Sequence, residues 1–340
     1  MTAQVLFWEK GSSDHVQCQL CPHRCRIAKG HVGKCGVRRN EHGTLHSLIY
    51  GKCSGVSADP IEKKPLHHFY PGSLVFSLGS VGCNLSCDHC QNYHISTAKP
   101  DGYRFSEISP EDAVDLAQQH GCKGIAFTYN EPTIWFEYTY DTAQRAKKAG
   151  LYTVYVTNGF ITADPVQKIA PLLDAMNIDV KAFTNTFYKK TCQASLQPVL
   201  DTCKLAHELG IHIELTYLVI PGKNDSMDEI RRFCSWVLET VGEEVPIYFS
   251  RFHPHYKMTD KQATPLSTLT QSFDMAKSMG IQYVYLGNVA DPEYENTFCP
   301  SCGEVLIERT GFTARLSGLS QGKCMTCGKV IPIITENNAR

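Results

Sequence analysis

Between residues 74 and 287, short strand-like runs alternate with helix-like ones, and this alternation constrains the fold more than any other feature. The runs LVFSLG (74–79), GIAFTY (124–129), LYTVYVT (151–157), AMNIDVKAF (175–183), IHIELTYLVI (211–220), VPIYFS (245–250) and IQYVYLG (281–287) are rich in β-branched and aromatic residues. Between them lie SPEDAVDLAQQHG (109–121), TIWFEYTYDTAQRAKKAG (133–150), TADPVQKIAPLLD (162–174), LQPVLDTCKLAHELG (196–210), SMDEIRRFCSWVLETVG (226–242) and PLSTLTQSFDMAKSMG (265–280). The first of these has a Ser cap, Pro at the first helical position and acids in the first turn. Gly150 closes the second, and Pro171 interrupts the third. Strands separated by helices of this length form βαβ units, and such units build a parallel sheet. Seven strand candidates give about six repeats, so the expected fold is α/β, an incomplete (β/α)6 barrel. Chemistry in such barrels gathers at the C-terminal ends of the strands.

Composition narrows the partners. The chain has 340 residues, 42% hydrophobic and 20% charged, with a net charge of −1. That balance gives no electrostatic case for a nucleic-acid or membrane partner. No apolar run approaches the ~20 residues of a membrane span. The start, MTAQVLFWEKGSSDH, has an early acid and no apolar stretch of signal-peptide length, so a cytoplasmic location is expected. Sixteen cysteines in that compartment are not a disulfide framework. Eleven fall into three clusters: Cys18, Cys21, Cys25, Cys35; Cys83, Cys87, Cys90; and Cys299, Cys302, Cys324, Cys327. Cys53, Cys122, Cys192, Cys203 and Cys234 are scattered and read as small buried hydrophobes.

The middle cluster, CNLSCDHC (83–90), has three cysteines in a C-x3-C-x2-C spacing and follows the first strand. Three thiolates leave one metal of a cluster open to a ligand the protein does not supply. The motif resembles the signature of the radical S-adenosylmethionine (SAM) superfamily. The resemblance implies that Cys83, Cys87 and Cys90 hold a [4Fe–4S] cluster whose fourth iron is chelated by SAM, and that SAM is cleaved to a 5′-deoxyadenosyl radical. A zinc site with a distant fourth ligand is the plain alternative.

Further strand-end residues follow from the same resemblance. His89 stands where the family often has an aromatic packed on adenine. In TYNEP (128–132), Asn130 and Glu131 replace a Gly-Glu pair, which makes Glu131 the candidate acceptor for the SAM amino group; it could also cap the helix opening at Pro132. Asn158 and Gly159 of TNGF (157–160) form a turn suited to ribose or carboxylate. DVK (179–181) resembles the D-x-K element of activating enzymes for glycyl-radical proteins, placing Asp179 and Lys181 near the SAM carboxylate, the Asp helping to hold a monovalent cation. A solvated ion pair is the alternative there. Thr216, Arg251 and His253 are candidates for SAM or substrate contacts, Arg251 by bidentate pairing with a carboxylate; a satisfied core histidine is the alternative at His253.

The outer clusters look closed. CQLCPHRCRIAKGHVGKC (18–35) offers four thiolates in 18 residues, for structural zinc, the first expectation, or for an auxiliary Fe–S cluster. CPSCG…CMTCG (299–328) has two C-x2-C-G knuckles and reads as a zinc-ribbon or rubredoxin-like module carrying zinc or iron. The expected division is 1–70 for the N-terminal metal-binding region, 71–290 for the barrel and 291–340 for the ribbon. With DPIEKKPLHHFYPGS, VIPGKND, SRFHPHYKMTD and YLGNV added, the chain resembles over most of its length the AmmeMemoRadiSam-system radical SAM enzymes, relatives of pyruvate formate-lyase activating enzymes. That resemblance implies an oxidoreductase, an electron donor such as flavodoxin or ferredoxin, a possible protein substrate, and association with AMMECR-type and Memo-type proteins. Radical modification of another protein or small molecule is a second reading. A zinc-ribbon interaction protein with a degenerate barrel is a third, against which the intact triad argues.

Overall fold

The structure, a computed structural model, describes residues 3–12 and 14–336. Its centre is an eight-stranded sheet in the order Val284–Gly287, Ile247–Arg251, His212–Val219, Ala175–Asp179, Tyr152–Thr157, Gly124–Phe127, Leu74–Gly79, Gly55–Pro60. The seven strands from Leu74 onward pair in parallel and in sequence order. The sheet is open, ending on two edges, and mostly parallel, the α/β order that the alternation predicts. Helices connect the strands: Pro110–Gln119, Phe136–Lys148, Ala163–Ile169, Gln197–Glu208, Met227–Thr240 and Leu266–Ser278. Ser109 and Asp112 form a reciprocal capping box on the first. The helix around Pro171 breaks into a 3-10 turn at Ala170–Leu172, because a proline N has no hydrogen to donate to the preceding turn.

The eighth strand was not legible. Gly55–Pro60 pairs antiparallel with Leu74–Gly79 and is half-exposed and polar, so it lacks the apolar run of a central strand. It lies before residue 71, so the N-terminal stretch and the barrel share one sheet.

Side-chain alternation divides the core. Ile125 and Phe127 face the main core, whereas Ala126 and Val154 face a second cluster with Ile61, Leu66 and Phe69. The segment around Phe69 thus fills one end of the barrel interior. Beside it, Tyr248, Tyr283 and Tyr285 pack with Cys299, Leu306, Ile307 and Ile331 of the C-terminal strands. The ribbon therefore shares a core with the barrel. Small antiparallel sheets carry the N-terminal cysteines, and a buried Arg38–Glu137 pair at 2.6 Å ties them to helix Phe136–Lys148. No described helix is long and apolar enough to cross a membrane.

Candidate active site

The C-terminal ends of the parallel strands open on a cavity of about 680 Å³. Cys83, Cys87 and Cys90 line it, together with His89, Asn130, Glu131, Asn158, Asp179, Lys181 and Thr216. Ten of the twelve candidates from the barrel thus meet on one wall-to-wall space.

The cysteine loop is held from three sides. The Asn130 side chain accepts from Ser80 N–H (3.0 Å) and donates to the Gly82 carbonyl (3.0 Å), fixing the entry to Cys83. Asn158 Nδ2 donates to Asn84 Oδ1 (2.9 Å) and lies 3.6 Å from Cys83 Sγ. Ser86 and Asp88 N–H groups donate to the Cys192 and Thr191 carbonyls, both at 3.0 Å. Cys192, read in the sequence as a scattered hydrophobe, also meets the Cys87 thiol. Burial pushes the Cys83 thiol well up, so its thiolate needs a cationic partner.

Glu131 is buried and fully engaged. It accepts from Thr133 N–H (3.0 Å), Thr157 Oγ1 (2.7 Å) and Asn158 N–H (2.8 Å). It therefore caps the turn at Pro132, the plainer of its two expected roles, while its residue remains on the cavity wall. Tyr129 takes a left-handed φ of 71° in this turn, a conformation glycine reaches at lower cost. Its hydroxyl donates to Asp59 Oδ2 at 2.7 Å, and Lys64 Nζ lies 4.9 Å from its ring centroid, which holds the turn in place.

Asp179 and Lys181 form a 2.5 Å ion pair on the cavity. Burial opposes the Lys181 cation, but Asp179 outweighs it and raises its pKa above the usual lysine value. Burial lowers His89 to about 3, so its ring is neutral and packs 6.0 Å from Phe187. Thr216 exchanges hydrogen bonds with Asn177 at 3.0 and 3.1 Å.

Arg251 and His253 are not brought to the cavity. On strand Ile247–Arg251, Tyr248 and Ser250 line it, so by the two-residue alternation Arg251 faces the other way. Its Nε donates to the Thr264 carbonyl at 2.9 Å. His253 is exposed in the loop beyond, so it is not a core histidine either. The sequence reading also missed Lys64, which lines the cavity 2% exposed with its Nζ 2.7 Å from Asp59. It missed Phe312 too, brought to the cavity by the turn between Val305–Thr310 and Thr313–Leu316. Neither carries a local signal, because burial of a lysine and approach of a distant hairpin are tertiary events.

Among the described residues, the ligand atoms of Cys299, Cys302, Cys324 and Cys327 alone gather within 4.8 Å of one another. The Cys299–Cys327 and Cys302–Cys324 sulfur separations are both 3.6 Å. A tetrahedron with 2.3 Å zinc–sulfur bonds has edges of about 3.8 Å, so the set fits one metal ion. Gly303 (φ 76°) and Gly328 (φ 75°) make the left-handed turns that close the knuckles.

Residues 78–234 match the family model described as the Radical SAM superfamily. An uncharacterized protein of Methanocaldococcus jannaschii is 45% identical over 333 residues, covering 97% of this chain and 99% of that one. The parallel-strand region of the chain belongs to the radical SAM superfamily. It is related to the pyruvate formate-lyase 1-activating enzyme of Escherichia coli K12, 24% identical over 159 residues, 44% of this chain and 63% of that enzyme. A radical SAM methyltransferase from Sphaerobacter thermophilus shares the fold, with a TM-score of 0.50 and 12% identity over 64% of this chain and 67% of that chain.

The radical SAM superfamily implies SAM and a [4Fe–4S] cluster. The donor set fits: three cysteine sulfurs line one cavity, yet they do not gather as closely as the C-terminal four. Wider spacing suits a multi-iron cluster and not a single ion.

Proposed function

We propose that this radical SAM enzyme cleaves SAM with a [4Fe–4S] cluster held by Cys83, Cys87 and Cys90. When bound and reduced, the cluster supplies the electron that splits SAM into methionine and a 5′-deoxyadenosyl radical, which abstracts hydrogen from the substrate. The chain's own residues bind and orient. The Leu85 N–H (3.4 Å) and Asn158 Nδ2 (3.6 Å) lie near the Cys83 sulfur and favour its thiolate. Lys181 is the cation for the SAM carboxylate, and Asp179 aligns it through their 2.5 Å contact. The neutral ring of His89 offers a face to adenine. Glu131 anchors the wall that receives the amino group.

Within this reading, the relationship to activating enzymes supports installing a glycyl radical on a partner protein, with flavodoxin or ferredoxin as electron donor. AMMECR-type and Memo-type proteins are the proposed associates. Of the expected division into 1–70, 71–290 and 291–340, the outer parts are proposed to bear metal and shape access to the cavity, with residues 55–69 belonging to the central sheet and its core. Radical modification of another substrate is the second reading, favoured by the N-terminal cysteines lying against the Cys83 loop, where a redox group could relay electrons.

The observation that carries the proposal is the meeting of the three cysteines with Asp179 and Lys181 on one cavity at the strand ends. The test is anaerobic reconstitution followed by measurement of 5′-deoxyadenosine. Cys87→Ala is expected to reduce its formation to background. Undiminished SAM cleavage by that variant would sink the reading.

A further inference from the structure

The four N-terminal cysteines converge without closing into a zinc-sized cage. Cys18, Cys21, Cys25 and Cys35 line one small cavity with Ile27, Gly33 and Arg38. Among the described residues, no three of these four sulfurs lie within 4.8 Å of one another, the spacing at which the C-terminal four gather. A tetrahedral zinc needs sulfurs about 3.8 Å apart. The same chain thus holds two kinds of four-cysteine site, one tight and one wide.

The surroundings of the wide site suit an anionic occupant. Backbone N–H groups aim at its sulfurs: Lys34 at Cys25 (3.5 Å), His23 at Cys21, and Val37 and Arg38 at Cys35. Arg38 is 1% exposed and lines the cavity. Its Nη2 is taken by Glu137 (2.6 Å) and the Leu6 carbonyl (3.0 Å), but Nε and Nη1 meet no hydrogen-bond partner. Glu137 balances the charge of this buried guanidinium, but its two idle N–H donors still call for acceptors beside the cavity. Gly33 gives the cavity room, since a Cβ there would lie 3.6 Å from Cys25 Sγ and 3.2 Å from Ile27 Cδ1.

The site also abuts the loop that carries Cys83. His23, between Cys21 and Cys25, lies with Nε2 2.7 Å from the Asn84 carbonyl. Gly82 packs so closely on the Cys35 carbonyl that a Cβ on it would sit 2.7 Å away.

We propose that Cys18, Cys21, Cys25 and Cys35 hold a second, fully ligated iron–sulfur cluster, packed against the Cys83 loop. All four irons of a [4Fe–4S] cubane would carry a protein thiolate, so this site offers no open iron to SAM. Zinc, the first expectation from the sequence, is too small for the sulfur spacing.

The deciding protein is the full chain with Cys83, Cys87 and Cys90 all changed to Ala, reconstituted anaerobically with iron and sulfide. Iron, acid-labile sulfide and zinc are counted, and the dithionite-reduced sample is examined by electron paramagnetic resonance. The triple variant is expected to keep about four irons and four sulfides, with a reduced-cluster signal; the unmodified chain is expected to hold about eight of each. Sulfide excludes a lone iron in the C-terminal knuckles, because such a site contains none. A triple variant with no sulfide and about two zincs per chain overturns the proposal. A triple variant that keeps all the iron and sulfide of the unmodified chain sinks the triad's role and leaves this inference standing, so the two failures are distinct.

Discussion

Asp59 shows how single residues hold the cavity wall. Its carboxylate accepts from Lys64 Nζ (2.7 Å), Lys63 Nζ (3.0 Å), Tyr129 Oη (2.7 Å) and Ser57 Oγ (3.1 Å). Lys64 is buried, so its ammonium has little water to fall back on. Removing one partner of a buried ion pair leaves an uncompensated charge, at a cost of roughly 3–5 kcal/mol. Asp59→Asn should therefore destabilise the protein by that amount in urea unfolding and loosen the left-handed turn at Tyr129. A loss below about 1 kcal/mol would mean that the pair contributes little. The role of this stretch is not legible in the sequence, since nothing local to Asp59 reports that Tyr129, seventy positions on, completes the network.

At the level of elements, the joint between the N-terminal cysteine sheets and the barrel rests on Gly82. It takes φ 85°, and a Cβ there would come within 2.7 Å of both the Cys35 carbonyl and Val37 Cγ1. Backbone atoms cannot yield as a flexible side chain can, and L residues disfavour this φ. Gly82→Ala is expected to separate the two cysteine loops. The readout is metal and sulfide content on both sites: loss from either site supports the joint, and full content with unchanged thermal stability refutes it. By contrast, helices such as Pro110–Gln119 were readable, because the cap, the proline and the first-turn acids all lie within four residues of the boundary.

Across the whole molecule, a buried polar network joins three distant parts of the chain. His67 and His68 N–H groups donate to Glu214 at 3.0 and 2.8 Å, Arg309 Nη2 donates to the His67 carbonyl at 2.7 Å, and His68 Nε2 lies 2.7 Å from Tyr285 Oη. Burial, aided by nearby His212 and Arg309, lowers His68 to about 3. The unfolded chain binds that proton below about pH 6.5, while the folded chain excludes it until about pH 3. Stability from this residue is thus complete above about pH 6.5 and falls as the pH drops towards 3, by at most about 1.4 kcal/mol per pH unit. His68→Gln should flatten the stability slope between pH 6.5 and 5 by up to one proton; an unchanged slope in urea unfolding would show that His68 is not held neutral. Because this network and the tyrosine core link the C-terminal strands to the central sheet, the cysteine knuckles are anchored by packing as well as by any metal they hold.

The sequence by itself determined the repeating βαβ order, the mostly parallel sheet, the spacing of the cysteine triad and the pairing of the C-terminal knuckles. Each depends on spacing within a few residues or on a period of two or 3.6 along one segment. Tertiary structure decided which neighbours those segments met. It turned Arg251 away from the cavity through strand alternation, left His253 in solvent and brought Lys64 and Phe312 in. It set the C-terminal sulfurs at zinc spacing and the N-terminal ones wider, although both sets read alike as four cysteines in a row. Ligand spacing in three dimensions depends on how loops pack against distant elements, and that packing energy is written in no single stretch of the chain.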